Sequence, residues 1–348
     1  MKKLNWIEIT ALYIGTIMGA GFASGRECWQ FFAVFGKDGY YGAIVFTLGL
    51  VLFSFMMTYI ANSKQTADLG KLVSPFGNPK IDNIPGIILA AFFYMDVIVM
   101  TAAGGSLLFQ QFGFSKVIGG LLIVILVIIT VLGDFERISS VFRFLIPVLF
   151  AAAVMMIVLI IREDYSQSGA TEFEPGEITP TWMISAIVFL SYNALATPAI
   201  VGNAAINSKS NKHAYIGALV GPLCLGALTI ALMRALMTDM AFTASCDLPL
   251  LGYSMRISPI LNVIYALLLF CSIYSTGSSL YFGFTTKLPN TRWKKYVVIG
   301  GALLGFALGL TGFKTLVEYL YPMQGYIGLV ILLMIILNFC NELRKNKN

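Results

Sequence analysis

The chain alternates long apolar runs with short polar ones. Ten apolar segments can be traced, over residues 5–35, 39–62, 84–111, 117–133, 138–161, 181–207, 213–238, 258–286, 296–312 and 317–340. An α-helix needs about 20 apolar residues to cross a bilayer. The segments therefore predict an all-α transmembrane protein of ten helices. The longest polar connections, around 63–83, 162–180 and 239–257, are too short for a separate soluble domain, so the chain reads as a single transmembrane domain.

Two of the segments are interrupted. The first is broken near 18–25, where Gly15, Gly19, Gly21 and Gly25 recur and Arg26-Glu27 follow. Each glycine weakens a helix by about 1 kcal/mol relative to alanine. The sixth is broken near 193–199, where Asn193, Thr197 and Pro198 cluster; proline removes a backbone donor and frees a carbonyl. Lipid tolerates unpaired backbone only where it faces protein or a wet cavity. The breaks lie half a chain apart, with five spans in each half, so the second half must enter the membrane from the opposite side. That is the pattern of an inverted-repeat transporter, here with repeat one over about 5–161 and repeat two over about 181–340. The N–H groups at the start of the outer half-helix then offer themselves to a substrate carboxylate, and the carbonyls of the inner half to a cation. The competing reading makes Ala11, Gly15, Gly19 and Ala23 a small-residue packing stripe. Gly301, Gly305 and Gly309 in the ninth segment are read as packing of that kind.

Ionisable groups inside apolar segments are costly and invite a functional reading. Asp96, at the middle of the third segment, either meets a substrate amine, carries a proton, or cancels its charge against Arg143 or Arg234. Arg26 and Glu27 open the outer half of the first segment, and Arg26 can reach Glu318 to form an outer gate; the alternative is two snorkelling side chains. The eighth segment carries Ser272, Ser275, Thr276, Ser278 and Ser279. Two adjacent hydroxyls and nearby carbonyls make an oxygen cage for a hard monovalent cation. Ser275-Thr276 is the preferred register and Ser278-Ser279 the other, against ordinary back-bonding to the preceding turn.

Composition narrows the classes. Only 11% of the 348 residues are charged and 58% are hydrophobic, against about 25% charged in soluble domains. The formal net charge of +6 need not mean nucleic acid. Lys2, Lys3, Lys64, Lys71, Lys80, Arg137, Lys209, Lys212, Lys287, Arg292, Lys294, Lys295, Arg344, Lys345 and Lys347 all fall on one side if the N-terminus is cytoplasmic, and only Lys37, Lys116, Arg162, Arg256 and Lys314 fall opposite. Both termini are therefore expected in the cytoplasm. No cleavable signal peptide is expected. His213 is the single histidine, and the five cysteines show no ligand spacing. No GxxxxGK[ST] loop appears. A membrane enzyme and an ATP-driven pump are thus disfavoured, and no cofactor is expected.

The segment Gly-Ala-Gly-Phe-Ala-Ser-Gly-Arg-Glu at 19–27, the Ala-Gly-Gly-Ser-Leu-Leu stretch at 103–108 and the ten-helix layout resemble the YkvI-like bacterial membrane proteins. These belong to the amino acid–polyamine–organocation superfamily, with the LeuT-type fold. The resemblance covers essentially the whole chain. It implies alternating access by two inverted five-helix repeats in the bacterial cytoplasmic membrane, with substrate held between helices one, three, six and eight. It places Gly19, Ala20 and Gly21 at the substrate carboxylate. It places Gly15, Met18, Ser275 and Thr276 at a sodium site, and Tyr94, Ser191, Tyr192 and Asn193 along the substrate. Asp96 and the Arg26-Glu27 pair depart from the superfamily pattern and keep protons open as the coupling ion.

The expected function is a secondary active transporter for an amino acid or related small, zwitterionic solute, driven by sodium or protons. The rival expectation is a ligand-sensing receptor subunit of the same fold that binds without transporting.

Overall fold

The computed structural model describes residues 3–76, 83–133, 135–163, 165 and 173–345. The described residues are overwhelmingly helical. Six helices are long and apolar enough to cross a membrane, and a seventh candidate is a bent pair. Shorter apolar helices accompany them. This is a multi-pass membrane architecture.

The first segment folds as three pieces. Helix α1 (Trp6–Ile17) starts at a reciprocal cap: the Asn5 side chain accepts from the Glu8 N–H at 2.9 Å, and Glu8 accepts from the Asn5 N–H at 2.7 Å. It stops where Met18 leaves helical geometry (φ −77°, ψ 65°) and Gly19 donates its N–H to the Ile17 carbonyl. A single turn follows, α2 (Ala20–Ala23). The chain then breaks again. Gly25 adopts φ +82°, a left-handed conformation that disfavours a side chain, and α3 (Arg26–Phe31) sets off in a new direction. The interruption expected near 18–25 is thus two breaks, one at each end of that interval.

Helices α4 (Gly39–Lys64), α5 (Leu69–Val73), α6 (Ile84–Phe112), α7 (Lys116–Leu132) and α8 (Phe135–Glu163) complete the first half. The sixth segment is α9 (Trp182–Ala196) and α10 (Pro198–Ile206), bent by 60° at Pro198. There the Thr197 hydroxyl donates to the Asn193 carbonyl at 3.0 Å, and the Asn193 amide donates to the Phe189 carbonyl at 2.8 Å. The remaining elements are α11 (Asn211–Leu236), α12 (Met240–Ser245), α13 (Pro249–Ile257), α14 (Pro259–Thr285), α15 (Lys294–Gly309) and α16 (Phe313–Lys345). The polar connection expected at 239–257 is the short pair α12–α13. It is tied down by the Leu250 N–H on the Ser24 carbonyl and by an Arg256–Asp239 ion pair at 2.8 Å.

The packing is extensive. Helix α4 lies on α11, α6 on α14, and α7 on α15; α1 lies on α11 while α9 and α10 lie on α4. Likewise α6 meets α15 and α7 meets α14, and α16 meets α6 and α8 meets α14. Small residues permit the close approaches. Gly301, Gly305 and Gly309 face Tyr94, Ile98 and Thr101 of α6, the packing role expected of them. Gly15 faces Ile146 of α8, whereas Gly19 has only the Thr276 methyl nearby, at 3.9 Å. The stripe from Ala11 to Ala23 is therefore not one packing face.

Candidate substrate site

A cavity of about 70 Å³ lies at the first break. Its lining comes from five apolar segments. Thr16, Ile17, Gly19, Ala20, Gly21 and Glu27 come from the first; Phe92, Asp96 and Met100 from α6; Tyr192 and Asn193 from α9; Thr276 and Leu280 from α14; and Tyr321 from α16. A larger hollow of about 310 Å³ sits beside α12 and α13 and includes Lys116, Asp247 and Arg256. Its charges are mutually satisfied: Asp247 takes Lys116 and the Ser106 hydroxyl, and Arg256 takes Asp239.

The break supplies backbone groups to the smaller cavity. Because Gly19 bonds back to Ile17, the carbonyls of Gly15, Thr16 and Met18 accept no backbone hydrogen bond among the described residues. Met18 itself is buried. The turn that follows is anchored twice: from α14, where the Tyr265 hydroxyl donates to the Ala23 carbonyl at 2.6 Å, and locally, where the Ser24 hydroxyl donates to the Gly21 carbonyl at 2.7 Å.

Two carboxyl groups face this space. Glu27 and Asp96 are each only 4% exposed, and the lining includes no lysine, arginine or histidine. Asp96 accepts a hydrogen bond from the Gln324 amide at 3.2 Å. It does not pair with Arg234, which is exposed; the side chain of Arg143 lies outside the described residues. Glu27 has no hydrogen-bond partner among the described residues, and its carboxyl lies so near Gly21 that a Cβ there would overlap it. Rings crowd the same wall: Tyr192 stands 4.7 Å from Tyr321 and 5.5 Å from Phe92, centroid to centroid.

Of the residues singled out in the sequence, the structure brings Gly19, Ala20, Gly21, Glu27, Asp96, Tyr192, Asn193 and Thr276 to one cavity. Tyr94 and Ser191 go elsewhere. The Tyr94 hydroxyl donates to the Gly301 carbonyl on α15, because it sits two residues from Asp96 and so on the opposite side of α6. The Ser191 hydroxyl donates to the Gly325 carbonyl of α16 at 2.7 Å and is consumed in helix packing. Ser275 donates to the Ser272 carbonyl. Ser278 is buried without a partner among the described residues, Ser279 is exposed, and neither lines the cavity. Arg26, 1% exposed, directs its guanidinium to the Cys246 carbonyl at 3.4 Å and forms no ion pair with Glu318. Sequence reasoning missed Phe92 and Met100, although both follow from the four-residue step through Asp96. It also missed Tyr321 and Gln324, which no motif marks.

No family model matches the chain. It is 25% identical over 333 residues to an uncharacterized membrane protein, YkvI, of Bacillus subtilis (strain 168), with 93% of each chain covered. It is 24% identical over 330 residues to an uncharacterized protein, YyaD, of the same organism, with 94% of each covered. The relation to YkvI thus extends over nearly the whole chain, as the sequence resemblance implied. Among solved structures the chain resembles the inward facing conformation of Mhp1, with a TM-score of 0.61 and 11% identity over 94% of this chain and 75% of that one. The likeness establishes the LeuT-type fold.

Proposed function

We propose that the protein is a secondary active transporter that carries a small organic solute through the cavity at the first break. The observation that carries the reading is the cavity itself: unpaired backbone and two buried carboxyls meet in an apolar bundle. A structural protein has no reason to retain such groups, since each costs free energy unless something binds there. The likeness to a transporter of the LeuT-type fold supports the reading.

The packing fits two inverted five-helix repeats. Exchanging helices of the first half with their counterparts in the second returns several of the contacts, although α6–α7 has no comparable α14–α15 counterpart. The pairs α4–α11, α6–α14 and α7–α15 map onto themselves; α6–α15 maps onto α7–α14, and α6–α16 onto α8–α14. Pseudo-twofold packing around a central site allows one half to rock against the other.

For the coupling ion, Thr16, whose carbonyl accepts no backbone hydrogen bond, and Thr276 line the cavity and offer oxygens suited to sodium, with the equally free carbonyls of Gly15 and Met18 beside them in the chain. Glu27 and Asp96 supply the groups for proton coupling in its absence. The test is uptake of pooled labelled amines and amino acids into proteoliposomes, with sodium and proton gradients imposed in turn. Accumulation under one gradient is expected. Binding without accumulation under either gradient would replace this reading with that of a receptor subunit.

A further inference from the structure

We propose that the cavity is built for a small organic cation, an amine that lacks a carboxylate, with Glu27 supplying the carboxylate that a zwitterion would otherwise bring. The inference rests on the central cavity being the ligand site and narrows what that site accepts.

The position of Glu27 is the starting point. The family resemblance implies that the backbone at Gly19–Gly21 seats a substrate carboxylate. In the folded chain that seat is taken. The turn at Ser24 and left-handed Gly25 redirects α3, and the Glu27 carboxyl comes back against Gly21. It is buried, lines the cavity and has no hydrogen-bond partner among the described residues. Asp96 contributes a second carboxyl to the same lining, with Gln324 donating to one of its oxygens. No cationic side chain joins the lining, since Arg26 turns to the Cys246 carbonyl. A substrate carboxylate entering here would meet two acidic groups and no compensating charge. An ammonium group would meet both favourably.

The rings add a second, independent preference. Phe92, Tyr192 and Tyr321 form a continuous aromatic patch on the wall of the cavity. The negative face of an aromatic ring attracts ammonium groups and repels anions. A cavity of about 70 Å³ suits a small ligand.

The experiment measures ligand-induced thermal stabilisation of the purified full-length protein at fixed pH and sodium. The probes are methylammonium, ethanolamine and choline as cations, alanine as a zwitterion and acetate as an anion. At least one cation is expected to bind, with alanine and acetate at least tenfold weaker. The variant Glu27→Gln is expected to weaken cation binding at least tenfold. Asp96→Asn, measured in parallel, reports on the second carboxyl of the lining should Glu27→Gln fail to fold. Tighter binding of alanine than of any cation overturns the proposal, as does the absence of binding by all three cations. Cation binding unchanged in both variants also overturns it. Uptake separates this from the transport reading: cations that bind but never accumulate defeat transport alone, whereas accumulation of alanine without competition by amines defeats the cation preference alone.

Discussion

The carboxyl of Glu27 rests against the α-carbon of Gly21, six residues earlier in the chain and across a left-handed turn. The contact puts an acidic group where the first segment loses its helical backbone. It also makes Gly21 sensitive in an unusual way. A Cβ at position 21 meets the flexible Glu27 side chain, from its carboxyl back to Cγ, and its three nearest contacts include no backbone atom. Gly21→Ala should therefore fold, with a melting temperature close to that of the parent, while the Glu27 carboxyl is pushed aside. Affinity for a ligand of the cavity should drop about tenfold or more, the scale on which about 1.4 kcal/mol is lost. Combined with Glu27→Gln it should add little, because both changes remove the same contact. Additive losses in a double-mutant cycle would show that Gly21 acts by another route.

Gly328 predicts the opposite behaviour. A Cβ there would strike the Ser191 carbonyl, which is backbone and cannot swing away. Gly328→Ala should force α16 off α9 and cost about 1–3 kcal/mol, the range for overpacked cores. Gly305→Ala is the control, since its nearest neighbour is Ile98 at 3.7 Å. Thermal unfolding in one detergent compares them, and equal melting temperatures would contradict the close approach of Gly328 to the Ser191 carbonyl.

The hydroxyls of α14 divide in the same manner. Thr276 lines the cavity and Ser278 does not. If sodium drives uptake, Thr276→Ala should raise the half-saturating sodium concentration at least tenfold, and Ser278→Ala should leave it unchanged. Sodium titrations of uptake rate decide this, and the reverse order would move the cation away from the break.

Cys246 provides a chemical probe of the end of the bundle that holds Arg26. Burial pushes its thiol above the ordinary range. The thiolate is the reactive form, so a raised value leaves less of it at neutral pH. Modification by a maleimide should therefore be slow near pH 7. Its rate should still be climbing as pH passes about 8.5, where an ordinary thiol begins to level off. A plateau below that pH would mean the thiol is more exposed than the fold indicates.

The sequence by itself determined the apolar segments, the two weak points in the helices and the unusual placement of Asp96 and Glu27 inside the membrane. Those features are local. Glycine and proline weaken whichever helix carries them, and an acidic residue in an apolar run is costly wherever the run packs. The packing role of Gly301, Gly305 and Gly309 was legible for the same reason. Only the tertiary structure decided which face of each helix meets the cavity. Lipid and protein interior are both apolar, so a membrane helix lacks the polar stripe that orients a helix in a soluble protein. Tyr94 thus reads as well as Asp96 until α6 is seen to turn it toward Gly301, and Ser191 reads as a site residue until its hydroxyl is found on Gly325. Tyr321 and Gln324 reach the site and Asp96 from the last helix, more than 220 residues along the chain from Asp96, a distance at which no local pattern operates. The approach of Glu27 to Gly21 lies between these cases: Gly25 signals that the chain can turn, but only the packing of α3 shows that it turns back on the break.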